Sequence, residues 1–198
     1  GDEEARLSFH GAVSGLRSDV GSRPPFLVVD IGGGSTEFVL GTRDVTAARS
    51  VDIGCVRLTE RSLPSDPPTA TEIQAATRLV DESIATAAET VPVRDAATLV
   101  AVAGSATTVA AIALGLPAYD PLAIHGSVLR AAQVHEVADR LLAMPRAERA
   151  VMPVMHPGRV DVIGAGALIL SRIVTLVGVD RVVISEHDIL DGIAWQLG

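Results

Sequence analysis

Residues 26–41 read FLVVDIGGGSTEFVLG. Two apolar runs, each the length of a buried strand, are joined by three glycines and two hydroxyl residues. So short a connection makes the runs antiparallel neighbours, a hairpin whose turn can bring backbone N–H groups close to a ligand because no Cβ intervenes. Asp30 closes the first run and Glu37 opens the second, so the hairpin holds both carboxylates beside the glycines. A carboxylate at the end of an apolar strand is costly to bury unless it is paired, hydrogen-bonded or metal-bound. The residues themselves leave two readings: an amide nest flanked by acids, suited to phosphate, metal and water, or a glycine bulge whose amides Asp30 caps.

Further along, VTAARSVDI extends the hairpin to a three-stranded meander, GCVRLTERSL reads as a short helix, and PSDPPT is a break. From Thr71 to about Thr90 the apolar residues Ile73, Ala76, Val80, Ile84 and Ala87 recur at helical spacing. ATLVAVAGSATTVAAIALGL is strand, glycine turn and helix. YDPLAIHGSVL reads as irregular, with Ser127 capping the amphipathic helix LRAAQVHEVADRLLAMP. VDVIGAGALILSRIVTLVG predicts a long buried helix, RVVIS a buried strand, and EHDILDGIAWQLG a closing helix. At the other end, GDEEARLSFHGAVSGL reads as a short helix with an acidic first turn. The order is α/β with an antiparallel start and flanking helices, which resembles one lobe of the ribonuclease H-like, actin-like ATPase superfamily. Those proteins duplicate the lobe and bind phosphates between the copies.

Composition removes several function classes. The net charge is −8, aromatics make up 3%, and all 16 basic residues are arginines, none adjacent to another, so a nucleic-acid surface is excluded. Hydrophobic content is 48%, yet the longest apolar stretches, residues 160–179 among them, are broken by Gly, Asp, Arg or Ser, and no membrane span is expected. An anionic ligand would therefore be held by backbone amides, helix ends and metal rather than by a basic face. A single cysteine, Cys55, excludes an internal disulfide and fits a reducing, cytoplasmic setting. Gly1 begins mid-pattern without signal-peptide features, as expected for a cut through a longer protein.

A second loop repeats the chemistry of the first. In VAGSATTVAAI a strand ends at Gly104 and Ser105, Ala106, Thr107 and Thr108 open a helix. Free amides and the positive helix end there suit an anion, while the plainer reading makes Ser105 an N-cap. In HPGR, Arg159 or His156 could reach such an anion. Asp161 reads as a cap for free amides. His10, His125, His135 and His187 have no metal-ligand spacing, and Cys55 has no histidine nearby in sequence to activate it.

Taken together, GDEEARL, DIGGGSTEFVLG, AVAGSATTVAAIALGL and MHPGRVDVIGAGALIL resemble the exopolyphosphatase and guanosine pentaphosphate phosphohydrolase (Ppx/GppA) family over essentially the whole chain. The resemblance implies a Mg²⁺-dependent hydrolase that removes terminal phosphate from inorganic polyphosphate, guanosine pentaphosphate or both. It implies Glu4 as the base that deprotonates water, and Asp30 and Glu37 as acids that bind metal and support the nucleophile. Gly32, Gly33, Gly34, Ser35 and Thr36 match one phosphate loop of the family, and Gly104, Ser105, Ala106 and Thr107 the other. It further implies that residues 1–198 form a second lobe whose N-terminal partner lobe is absent, leaving an apolar flank open to homodimerisation and the fragment weakly active or inactive. Asp191 stands where the family usually carries glutamate, and His187 where it carries a small residue. Two rivals follow from the same residues: an ATP-dependent small-molecule kinase of this architecture, and a non-catalytic phosphate- or nucleotide-binding lobe.

Overall fold

The computed structural model describes residues 9–13 and 22–186. The acidic opening, with Glu4, and all of the expected closing helix 186–198 beyond Glu186 lie outside them. Six strands form one mixed sheet: β1 (Phe26–Ile31), β2 (Thr36–Gly41), β3 (Val45–Val51), β4 (Thr98–Val102), β5 (Val128–Arg130) and β6 (Arg181–Ile184), in the spatial order β3-β2-β1-β4-β6-β5. The first three make the expected antiparallel meander, and β1, β4 and β6 run parallel at the centre. The loops that follow β1, β4 and β6 therefore open at the same edge of the sheet.

Strand alternation divides the core in two. Leu27, Val29, Ile31, Phe38 and Leu40 face the main helical layer. That layer contains α1 (Cys55–Ser62), α2 (Ala70–Ala88), α3 (Ala103–Ala113), α5 (Ala131–Ala143) and α7 (Ile163–Val177), with the short α4 (Pro121–Ile124) and α6 (Arg146–Ala150) on connections. Val28, Val39, Val100, Val102 and Val183 face the other side, where helical residues 9–13 contribute Phe9 and Ala12. Among the described residues no helix is long and apolar enough to cross a membrane. The long apolar helix expected from residues 160–178 is α7, buried nearly all round and ended by Gly178 in the left-handed region (φ 81°). Arg172 on α7 grips Asp81 on α2 with both arms of its guanidinium, at 2.7 and 3.0 Å.

Local signals fix the other boundaries. Thr69 caps α2 and forms a capping box with Glu72, placing the helix start at Ala70. The Thr69 N–H and the Ser65 hydroxyl hold the Glu72 carboxylate below its ordinary pKa, so this support is present above the usual glutamate range and lost as pH falls through the depressed value. The stretch expected to be irregular contains α4, whose first amides are capped by the Asp120 carboxylate, and the edge strand β5, antiparallel to β6. Three residues are too few for a period to show in sequence. Ser127 is not the helix cap: its hydroxyl is buried without a partner among the described residues, and the Arg130 N–H donates to Gln133 Oε1 at the start of α5. Asp161 does not cap amides; it pairs with Arg146, which lowers its pKa.

Candidate phosphate site

Parallel pairing sets Asp30 of β1 beside Val102 of β4, and antiparallel pairing sets Asp30 opposite Glu37 of β2. Directly opposed residues have Cβ atoms about 5 Å apart on one face. That face is the one carrying Val28, Val39, Val102 and Phe9. Both carboxylates are half-buried rather than sealed in the core, because they stand where the sheet ends. Ser50, opposite Glu37 on β3, donates its hydroxyl to Glu37 Oε1 at 2.7 Å.

The glycine loop after β1 is stapled from below. The Gly32 N–H donates to the Ser35 carbonyl (3.0 Å), and the carbonyls of Gly32 and Gly33 accept the first N–H groups of α1 from Cys55, Val56 and Arg57 (2.9, 2.9 and 3.1 Å). Helix-start donors are thus consumed by loop carbonyls. Peptide planes whose carbonyls turn towards α1 direct their N–H groups the other way, and no acceptor for Gly33, Gly34 or Ser35 N–H occurs among the described residues. Thr36 belongs to the scaffold instead. Its buried hydroxyl donates to the Ile53 carbonyl at 2.6 Å and locks the start of β2 to the β3–α1 connection. Contact between loop and helix is so close that a Cβ on Gly54 would lie 2.5 Å from Gly33 C and O and 2.6 Å from Gly34 N.

The second loop differs from the expected glycine turn with a serine cap. β4 passes into α3 with no linker, Ala103 taking the left-handed conformation (φ 67°) at a cost of about 1–2 kcal/mol. Val102 occupies the N-cap position and offers no side-chain bond, so the first-turn N–H groups of α3 lack a side-chain cap. Ser105 is buried in that first turn, so close to α7 that a Cβ on Gly166 would lie 2.7 Å from the Ser105 Cβ and 3.4 Å from the Cys55 Cβ. Ala106 is fully buried and can offer only backbone.

Arg159, only a weak candidate in sequence, is brought onto this loop. Its Nη1 donates to Thr108 Oγ1 (3.1 Å), its guanidinium lies 6.0 Å from the Tyr119 ring centroid, and Cζ and Nε lie 2.5 Å from where a Cβ of Gly104 would be. His156 does not join the anion-facing groups; its Nδ1 accepts the Gly158 N–H and shapes the turn that presents Arg159. Tyr119 and Glu186, which the sequence did not single out, complete the cluster: the phenol oxygen lies 2.7 Å from Thr107 Oγ1 and 2.6 Å from Glu186 Oε1. Glu186 follows β6, the third parallel strand, and its position at a strand end was the signal available.

Burial, then the neighbouring Glu186 carboxylate, raises the Tyr119 pKa, partly offset by Thr107 and Arg159. Because Tyr119 is the chain's one tyrosine, phenolate absorbance reads it alone. The midpoint is expected above the ordinary value of about 10 and to fall in Glu186→Gln; a wild-type midpoint at or below 10 would contradict this arrangement. The associated stability is present below about pH 10 and is lost as pH rises through the folded value.

Comparison with known proteins bears directly on this site. The model of the Ppx/GppA phosphatase family matches residues 1–197. The chain belongs to the Ppx/GppA phosphatase family. It is 52% identical over 201 residues to exopolyphosphatase 2 of Mycobacterium tuberculosis, covering all of this chain and 62% of that protein. It is 31% identical to a bifunctional 3-dehydroquinate synthase/phosphatase of Fusobacterium nucleatum, with 97% of this chain and 29% of that one aligned. Among solved structures, an exopolyphosphatase-like protein superposes with TM-score 0.95 at 43% identity, covering all of this chain and 66% of the other. A Ppx/GppA phosphatase of Aquifex aeolicus superposes with TM-score 0.84 at 28% identity over 98% and 63% of the two chains. The six-stranded mixed sheet with flanking helices is thus the actin-like ATPase fold of the Ppx/GppA proteins. The chain spans about three-fifths of the length of its M. tuberculosis relative.

Proposed function

We propose that this chain forms part of a site that hydrolyses the terminal phosphoanhydride of inorganic polyphosphate, guanosine pentaphosphate or both. One observation carries the reading: two amide-presenting loops leave the neighbouring parallel strands β1 and β4 at one sheet edge, with Asp30 and Glu37 opposed at their mouth. Family membership and the resemblance to an enzyme named exopolyphosphatase support it.

In this reading the N–H groups of Gly33, Gly34 and Ser35, with those opening α3, receive the oxygens of the terminal phosphoryl group. Arg159 adds a fixed positive charge at the second loop. Such prearranged donors carry most of the rate in phosphoryl transfer, which asks little covalent chemistry of the protein. Two carboxylates on facing strands suit Mg²⁺, which takes one or two carboxylates and fills its shell with water and phosphate oxygens. Asp30 and Glu37 would hold it, and when bound it would offset negative charge on the phosphate oxygens. Glu4 is assigned as the base that takes a proton from the attacking water. Glu4 lies outside the described residues, but Phe9, five positions on, packs in the apolar cluster of the sheet face that bears Asp30 and Glu37. The N-terminal lobe of the family architecture is taken to supply the facing wall, and the single cysteine favours the cytoplasm.

The direct test is phosphate release by the full-length protein from each substrate, with and without Mg²⁺. Mg²⁺-dependent release from at least one is expected. No release from either would remove the reading.

A further inference from the structure

We propose that Arg57 is a second, exchangeable anion-binding residue of this site, taking a phosphoryl group of the substrate chain beyond the terminal one; the proposal rests on the phosphate-site reading above. The Arg57 N–H donates to the Gly33 carbonyl (3.1 Å), so its backbone is fixed against the first loop. Its Nη2 lies 3.7 Å from where a Cβ of Gly34 would stand, placing the guanidinium beside that loop.

The partner of that guanidinium is Asp52, at 3.0 Å, in a pair whose side chains are 47% and 86% exposed. An ion pair so open to water is worth little and exchanges readily. A phosphate group offers the same planar fork a better match, with two or three acceptor oxygens and more charge. Arg159 contrasts with it, being held at the second loop by Thr108 and Tyr119. The two loops therefore carry one arginine each, one set in place and one on a loose tether. In a chain of net charge −8 without lysine, an arginine against this loop is a local feature and not part of a general positive field.

The experiment measures kcat and KM of the full-length protein on inorganic tripolyphosphate and on long-chain polyphosphate for wild type, Arg57→Ala, Arg57→Lys and Asp52→Asn. Loss of one charge-assisted contact predicts that Arg57→Ala raises KM about tenfold with kcat within about twofold. Arg57→Lys should recover part of the loss, since lysine keeps the charge without the fork. Asp52→Asn, which frees the arginine, should leave KM unchanged or lower. A KM within twofold of wild type in Arg57→Ala overturns the proposal. So does an Asp52→Asn variant as impaired as Arg57→Ala, because the arginine would then act only through its ion pair. Calorimetric titration of tripolyphosphate into wild type and Arg57→Ala keeps the two levels apart. Failure of the hydrolytic reading shows as a wild type without turnover; failure of the Arg57 assignment shows as equal affinity in the two proteins.

Discussion

Glu4→Gln is expected to lower turnover of the full-length protein by roughly 10²–10⁴-fold, the usual contribution of a general base, with KM close to wild type. Glutamine keeps the shape and hydrogen-bonding reach of the side chain but cannot accept the proton of water. In the proposed reading the loop amides and Arg159 hold the phosphate independently of that residue, so binding should survive where chemistry does not. The variant also separates Glu4 from its neighbour: Glu3→Gln should have far less effect. A Glu4→Gln enzyme with undiminished kcat would take the residue out of the reaction and move the search for the base to Asp30 and Glu37.

Gly54→Ala should be among the most damaging single-methyl changes in the described structure. Gly54 has φ −142°, ordinary extended backbone, so the demand is for proximity and not for conformational freedom. A methyl there would meet Gly33 C and O at 2.5 Å and Gly34 N at 2.6 Å. These are backbone atoms, already tied to α1 through the Cys55, Val56 and Arg57 amides, and they cannot swing aside as a side-chain tip could. Overpacking of this kind typically costs about 1–3 kcal/mol. Relief requires the loop to lift from α1, which also turns away the donors proposed to receive the phosphate, so at least a tenfold fall in kcat/KM is expected in the fraction that folds. Denaturant titration and steady-state phosphate release check the two effects. Wild-type values in both would show that the loop has slack the structure denies it.

Elements whose signal is local were legible before the fold was known. The hairpin was written in FLVVDI and STEFVLG, whose lengths and glycine connection leave no other pairing, and α7 in an apolar stretch too long for a strand. Placement of both amide-rich loops at one edge follows from the order and parallel pairing of the strands. Information carried by contacts across the fold was not legible. Tyr119 and Glu186 are 67 positions apart and meet only because the connection after α3 folds back to the end of β6. HPGR left Arg159 and His156 both as candidates, and only the packing of the turn before α7 against α3 brings Arg159 to Thr108 and Tyr119. Ser105 looked like a cap because serine after glycine at a helix start usually is one; the left-handed Ala103 moved the helix start upstream and put Ser105 inside. Thr36 reads as one more hydroxyl of the glycine loop, yet strand register turns it inward to Ile53.

Gly166 makes one spot on α7 a shared floor for α1 and α3, whose first-turn residues Cys55 and Ser105 both lie close to it. A side chain at that spot would press on both helix starts, the one stapled to the first loop and the one that opens after β4. In the proposed reading the seat for the phosphate is therefore set by how closely α1 and α3 sit on α7, and a hinge that admits substrate would lie outside this block.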